Sequence, residues 1–302
     1  MKLTYEDSTK ENWFLVSWVL SNKCNYRCSY CPSHLHSGTT GQPKWDVVST
    51  FIKNFKVPNK QICFRVSGGE PTHWKYFSKM AALIKEQGHI FSFMSNGSQP
   101  IEYYKNISKY TDGLILSYHP EKSSVDHFIK IANNVTCPIA VNLMLMPENF
   151  DDIVEIAKLL YNGTNNMLIW PKVILDKSAA DGYITNEVSY YTPEQQELIN
   201  NWPYSRKIDD SKLHRGNMLL NGKKITANDL ILNGLNAHDG WKCWAGIDGV
   251  NIDMWGKLYR ADCQYGGLIG DLTSYTLPSE PIICGKDICG CLSDIYLRKE
   301  TT

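Results

Sequence analysis

Six apolar runs of strand length punctuate the first part of the chain: Phe14–Ser21, Ile62–Ser67, Ile90–Ser95, Leu114–Ser117, Ile139–Met144 and Met167–Val173. Between them lie stretches whose apolar residues recur at helical spacing: Asp46–Phe55, Trp74–Gln87, Ile101–Tyr110, Val125–Asn134 and Phe150–Tyr161, the last with Asn149 as its N-cap candidate. This alternation is the signature of repeated βα units around a parallel sheet, so the pattern predicts an α/β fold. Right-handed crossovers then place every strand's C-terminal end on one side.

Residues with chemistry to offer gather at those ends. Cys24 follows the first strand, Gly68-Gly69-Glu70 the second, Asn96-Gly97 the third and Tyr118-His119-Pro120 the fourth. Ligands of parallel α/β folds sit there because the loops vary without disturbing the core. The rhythm stops near residue 174. Residues 175–240 read as a connector that covers the mouth, with short helical pieces at Pro193–Asn201 and Ala227–Leu232. Its aromatic residues Tyr183, Tyr190, Tyr191 and Trp202, together with Trp170, are read as packing it onto the core. Residues 241–302 are glycine- and cysteine-rich and predict a compact, metal-stapled appendage.

Charge narrows the partners. Lys+Arg and Asp+Glu number 31 each in 302 residues, so the overall basic footprint of a nucleic-acid binder is missing. The longest apolar run, Trp13 to Leu20 broken by Ser17, is too short to span a bilayer, and a cytoplasmic location is expected. Ten cysteines without a secretory signal point to metal or iron–sulfur ligation rather than disulfides. Cys63 and Cys137, inside apolar strand-like runs, read as small core residues.

Cys24-Asn-Tyr-Arg-Cys28-Ser-Tyr-Cys31 places three thiols on one loop, close enough to hold three corners of one cube. A four-iron cluster needs four ligands, and an iron left open can chelate the amino and carboxylate groups of a small molecule. A zinc site is the alternative, with His34 or His36 as fourth ligand. The spacing C-x3-C-x-aromatic-C, with Tyr30 as the aromatic residue, resembles the radical S-adenosylmethionine (SAM) superfamily. The resemblance covers residues 13 to 174. It implies a partial (β/α)6, TIM-like barrel over residues 1–174, a SAM-binding [4Fe-4S] cluster on Cys24, Cys28 and Cys31, and cleavage of SAM to methionine and a 5′-deoxyadenosyl radical.

Other positions follow from the same resemblance. Ser67-Gly68-Gly69-Glu70-Pro71 matches the loop that lines the SAM amino group; two glycines allow close backbone approach and Glu70 adds charge near an ammonium. Asn96 matches a segment near the methionyl part of SAM, Ser117 a ribose-contacting position, and Asn142 lies in the fifth strand as a further SAM-contact candidate. Tyr30 is expected near adenine, and His119 is read as a loop residue that can face substrate.

Near the other end, Cys243 and Cys263 bracket a segment that reads as a β-hairpin turning near Asp253–Gly256, and Cys284, Cys289 and Cys291 follow. This resembles the SPASM or shorter twitch extensions of the superfamily, which implies a second, auxiliary [4Fe-4S] cluster. Two features depart from the pattern: the interval from Gly256 to Cys263 is longer than usual, and five thiols exceed the four that one cluster takes. A zinc knuckle is the alternative.

The resemblance implies an oxidoreductase of the peptide-modifying class, because twitch and SPASM proteins often mature ribosomal peptides. It also implies a reducing partner such as flavodoxin or ferredoxin. The stretch ahead of Cys24 is too short for a leader-binding domain, so a separate leader-peptide-binding protein is expected. The competing readings are a dehydrogenase or rearrangement enzyme acting on a small metabolite such as an aminocyclitol or nucleoside, and a non-enzymatic iron–sulfur or zinc protein.

Overall fold

The structure, a computed structural model, describes residues 3–6, 12–174, 191–206, 217–289 and 294–301. In chain order its elements begin with β1 (Leu3–Glu6), β2 (Trp13–Val19), α1 (Trp45–Asn54), β3 (Gln61–Ser67), α2 (Phe77–Glu86), β4 (Ile90–Ser95), α3 (Ile101–Ile107) and β5 (Gly113–Tyr118). Next come α4 (Val125–Ala132), β6 (Ile139–Leu145), α5 (Phe150–Gly163) and β7 (Leu168–Val173). The strands β2 to β7 pair in chain order and all in parallel, each reached through a helix, as the periodicity predicts.

Alternation along these strands sorts the side chains onto two faces. Phe14, Val16 and Trp18 of β2, with Ile62, Phe64 and Val66 of β3, join one core with Val48, Phe51 and Ile52 of α1 and Phe77 and Met80 of α2. Each such large side chain taken from water contributes about 1.5–3 kcal/mol. The opposite face runs in register rows. Leu15, Cys63 and Ile90 form an apolar row at one end. Ser17, Arg65 and Ser92 form the next, and Ser117, Asn142 and Trp170 lie towards the C-terminal ends. A parallel sheet is usually covered on both faces, so polar rows on one face suit a bound ligand. Cys63 and Cys137 are buried, as the sequence reading has them.

Beyond β7 come α6 (Pro193–Asn200), β8 (Asn217–Leu220), β9 (Lys223–Ile225) and α7 (Ala227–Leu232). Helix α6 starts at a capping box, Thr192 with Gln195, and Pro193 fills its first turn. Then follow β10 (Lys242–Cys243), β11 (Gly249–Ile252), β12 (Lys257–Tyr259), β13 (Leu268–Asp271), β14 (Ile282–Ile283) and β15 (Lys299–Glu300).

The structure differs from the sequence reading in three places. The hairpin β11–β12 turns at Asp253–Gly256 as predicted, yet it does not stand in an appendage. β11 pairs in parallel with β2, which extends the sheet to nine strands in the order β13-β12-β11-β2-β3-β4-β5-β6-β7. Strand β1 pairs with β8, far along the chain, and β10 forms a separate sheet between β14 and β15. Asn149 does occupy the N-cap of α5, but its side chain caps nothing there, because a 3-10 turn over Pro147–Asn149 leads directly into the helix. Among the described residues no helix is long and apolar enough to cross a membrane.

Candidate active site

The cysteine triplet lies on the loop after β2, and the loop is built largely by its own polar side chains. Asn22, buried, donates from Nδ2 to the His34 carbonyl and the Ser37 hydroxyl, both at 2.8 Å, while its Oδ1 accepts from the Thr40 hydroxyl at 2.8 Å and the Thr40 N–H at 3.1 Å. Arg27 donates to the carbonyls of Cys24 at 3.1 Å and His36 at 2.5 Å. His36 Nε2 lies 3.2 Å from the Cys31 carbonyl.

Burial pushes all three thiols above their ordinary range. Cys31 rises to about 11, through burial first and then the neighbouring Cys28 and Cys24. Among the described residues no three His, Cys, Asp or Glu side chains converge to hold a single metal ion. A cube takes its thiolates at separate corners, so three thiols on one loop within electrostatic reach of each other fit a cluster without meeting at a point.

The loop after β3 leans directly on this one. The Gly69 N–H donates to the Ser21 carbonyl and the Glu70 N–H to the Lys23 carbonyl, each at 2.8 Å. A Cβ on Gly68, whose φ is +150°, would lie 2.6 Å from the Ser21 carbonyl oxygen, and one on Gly69 would lie 2.5 Å from that of Lys23. The two glycines thus let the backbones of the two loops touch.

Glu70 is 1% exposed. Its Oε1 accepts from the Thr72 hydroxyl at 2.6 Å, the Thr72 N–H at 3.1 Å and the Ser95 hydroxyl at 3.0 Å, and its Oε2 accepts from the Asn96 N–H at 2.6 Å. The carboxylate therefore locks the ends of β3 and β4 together. Burial raises its pKa and the four hydrogen bonds work the other way. Asn96 completes the contact, with Nδ2 at 2.9 Å from Asn25 Oδ1 and 3.8 Å from Cys24 Sγ.

On the other side, Tyr30 lies edge to edge with His119, 15° between planes, its hydroxyl 2.5 Å from His119 Nδ1, and Tyr26 meets the same ring edge-on. Burial lowers the His119 pKa to about 4, so the ring is neutral near pH 7. Glu121 accepts from the Ser29 N–H at 3.1 Å and also from the Ser29 hydroxyl. Ser117 and Asn142 are direct cross-strand partners on the face away from the helices, with Trp170 next in the row. The sequence reading missed Asn22, Arg27 and Glu121, which act through contacts that no short motif records.

A second thiol group lies in the C-terminal region. Cys243, Cys263 and Cys284 pack together with Ala245, Ala261 and Leu297. Cys289 is buried within electrostatic reach of Cys243, Cys263 and Cys284. Backbone bonds hold each in place: Cys284 N–H to the Trp241 carbonyl at 2.7 Å, Cys289 N–H to the Asn236 carbonyl at 2.8 Å, and Cys263 N–H to Asp294 Oδ2 at 3.2 Å. Burial pushes Cys263 up to about 12 and Cys289 to about 11. Four thiols gathered in one region match in number the donor set of a four-iron cluster. Cys291 lies outside the described residues.

Comparison with known proteins bears on the first site. Residues 18–119 match the radical SAM superfamily model. An S-adenosylmethionine-dependent nucleotide dehydratase of a Thermoplasmatales archaeon is 35% identical over 77 residues, 25% of this chain and 26% of that protein. The radical SAM cyclopropyl synthase TigE of Paramaledivibacter caminithermalis is 27% identical over 191 residues, 50% of this chain and 40% of the relative. The matched segments thus span between about a quarter and two-fifths of these relatives.

Among solved structures, native anSMEcpe with bound AdoMet superposes with a TM-score of 0.54 at 17% identity, over 87% of this chain and 79% of that one. Streptococcus suis SuiB bound to S-adenosylmethionine gives 0.53 at 13% identity, over 88% and 62%. These likenesses concern the fold. The segment that matches the radical SAM superfamily model contains Cys24, Cys28, Cys31, Gly68, Gly69, Glu70, Asn96 and Ser117.

Proposed function

We propose that this chain is a radical SAM enzyme that modifies a peptide or peptide-like substrate, with Cys24, Cys28 and Cys31 holding a [4Fe-4S] cluster and Cys243, Cys263, Cys284 and Cys289 an auxiliary one. The observation that carries the reading is the closure of Gly68-Gly69-Glu70 and Asn96 onto the backbone and thiol of Cys24. Cys24, Cys28 and Cys31 would hold the first cluster, which would supply the one electron needed to break the sulfonium C–S bond of SAM into methionine and a 5′-deoxyadenosyl radical able to abstract hydrogen from substrate.

The chain's own residues position that chemistry. Asn22 and Arg27 fix the cysteine loop, and Glu70 fixes the two strand ends beside it. Tyr30, held by His119, offers a flat surface to adenine, while Ser117 and Asn142 offer polar groups to ribose from the sheet face. The strand ends and the connector would form the mouth of a partial barrel that keeps water from the radical. Flavodoxin or ferredoxin would supply the electron in a reducing cytoplasm, and a separate protein would present the leader of a ribosomal peptide.

The substrate class rests on the C-terminal thiols, whose arrangement resembles the twitch and SPASM extensions common in peptide maturation. A second reading is a nucleotide substrate, favoured by the 35% identity over 77 residues to a nucleotide dehydratase.

The test is iron and sulfide content after anaerobic reconstitution, with 5′-deoxyadenosine formation measured alongside. About eight irons in the wild type, falling to about four with cleavage abolished in the triple variant Cys24→Ala/Cys28→Ala/Cys31→Ala, supports both clusters. About four falling to none leaves the first cluster alone, and zinc without iron sinks the reading. Substrate class is decided by which of a neighbouring encoded peptide and a nucleotide set raises 5′-deoxyadenosine formation.

A further inference from the structure

A lysine sits among the C-terminal thiols where sequence gives no reason to look for one. In the antiparallel pair of β10 and β15, Lys299 is directly opposite Cys243. Residues so placed project to the same face as neighbours. Lys299 is 3% exposed. Its Nζ donates to the carbonyls of Asp294 at 2.8 Å, Leu297 at 2.9 Å and Ile295 at 3.3 Å. Three acceptors match the three N–H donors of an ammonium, whereas a neutral amine has only two.

The nearby charges define the balance. Asp294 is buried, its Oδ2 accepts from the N–H groups of Asp262 at 2.5 Å and Cys263 at 3.2 Å, and its negative charge acts on Cys263 and also on Cys243 and Cys289. His238, hydrogen-bonded to Tyr5 at 3.0 Å, is neutral near pH 7, because burial first and Lys299 second hold its pKa at about 3. The Lys299 ammonium also lies 5.1 Å from the Tyr5 ring. Carbonyl oxygens solvate the buried ammonium, and Asp294 opposes it at Cys243 and Cys289, where the lysine has the larger effect. A buried cation is costly without an anion, and a centre held by four thiolates is anionic.

We propose that Lys299 is a fixed cation that makes the C-terminal thiol centre easier to reduce, an inference that rests on the auxiliary-cluster reading above. One-electron reduction adds one negative charge to the centre. A positive charge beside Cys243, in surroundings of low dielectric, stabilises the reduced form over the oxidised one. Such a centre is better suited to accept an electron from a substrate-derived radical, which loses that electron and a proton to become a closed-shell product.

The experiment is a spectroscopically monitored redox titration of the full-length chain, anaerobically reconstituted, with dithionite and mediators. Lys299→Met is expected to lower the reduction equilibrium constant of the C-terminal centre at least tenfold, a shift of about 59 mV for one electron. The midpoint of the Cys24/Cys28/Cys31 cluster should stay put and serve as internal control. Asp294→Asn, which keeps an acceptor for both N–H groups, should move the C-terminal midpoint the opposite way.

A Lys299→Met protein with full iron content and an unchanged C-terminal midpoint overturns the proposal. Loss of the C-terminal irons in Lys299→Met but not in Lys299→Arg supports the need for charge, while loss in both variants assigns Lys299 to packing and overturns it. A wild type with only about four irons, all lost with the first triplet, removes the auxiliary cluster itself, a result visible before any Lys299 variant is made.

Discussion

Cys24, Cys28 and Cys31 fall within one short loop, whereas Cys243, Cys263, Cys284 and Cys289 are brought together from four segments by two sheets and a 3-10 turn. Each group keeps two partly exposed thiols, Cys24 and Cys31 in the first and Cys263 and Cys284 in the second, but the first faces polar loops after three successive strands. The second is packed among alanine and leucine side chains with a buried acid and a buried lysine beside it. A site that must admit a cosubstrate needs an open side and adaptable polar neighbours. A site that only holds charge gains from apolar neighbours, since electrostatic effects strengthen as water is excluded.

The sharpest way to break this comparison is to remove one thiol from each group. Cys28→Ser is expected to abolish 5′-deoxyadenosine formation, because it takes away one of three ligands. Cys289→Ser is expected to lose the C-terminal irons while SAM cleavage without substrate persists. If Cys289→Ser instead abolishes uncoupled cleavage, the two groups are not functionally separable and the comparison fails.

A second difference concerns pH, since a neutral imidazole is buried beside the C-terminal group. The folded-state pKa of His238 is about 3 against an ordinary 6.5, so the unfolded chain binds the extra proton across that interval. Its contribution is complete above pH 6.5 and is lost as pH falls towards 3, at up to about 1.4 kcal/mol per pH unit. Denaturant unfolding at several pH values between 7 and 4 should give a steeper acid loss in wild type than in His238→Phe. Parallel slopes would show that His238 is not buried as a neutral ring.

At the open site the matching test is Glu70→Gln. The amide nitrogen must face donors that now point at a carboxylate oxygen, from Thr72 and Ser95 or from Asn96. The expected cost is about 3 kcal/mol in unfolding free energy, read from the shift in denaturant midpoint. SAM binding should weaken as well, because Asn96 and the Cys24 loop lose their common anchor. A variant as stable as wild type would mean that Glu70 is free to turn towards a ligand.

The contrast between the sites also explains what the sequence reading reached. The triplet, Gly68-Gly69-Glu70 and the strand ends were legible because each is a local pattern: fixed spacing, a flexible pair, a break in apolar periodicity. Ser117 and Asn142 were reached through the family resemblance, and their pairing across β5 and β6 is set by the sheet register. What escaped was set by distant pairing. Nothing in Gly249–Ile252 announces that it joins β2, nor in Leu3–Glu6 that it joins β8. No local pattern marks Lys299, whose meaning comes from Cys243, opposite it across a sheet.

The smallest effect is expected where the connector meets the sheet that carries the open site. Tyr191 is buried, its ring edge-on to Phe150, and its hydroxyl donates to the Leu145 carbonyl at 2.5 Å and accepts from the Ile174 N–H at 2.8 Å. Those two backbone groups end β6 and follow β7, so one hydroxyl ties the connector to both strands. Tyr191→Phe keeps the ring packing and removes only the two bonds, at an expected cost of about 1 kcal/mol. Uncoupled SAM cleavage should be nearly unchanged, because the Cys24 loop is anchored by Asn22 and Glu70 rather than by the connector. Substrate-dependent turnover is the quantity to watch: a fall in turnover at constant SAM cleavage would place the connector over the mouth, and equal loss of both would tie it to the cluster loop instead.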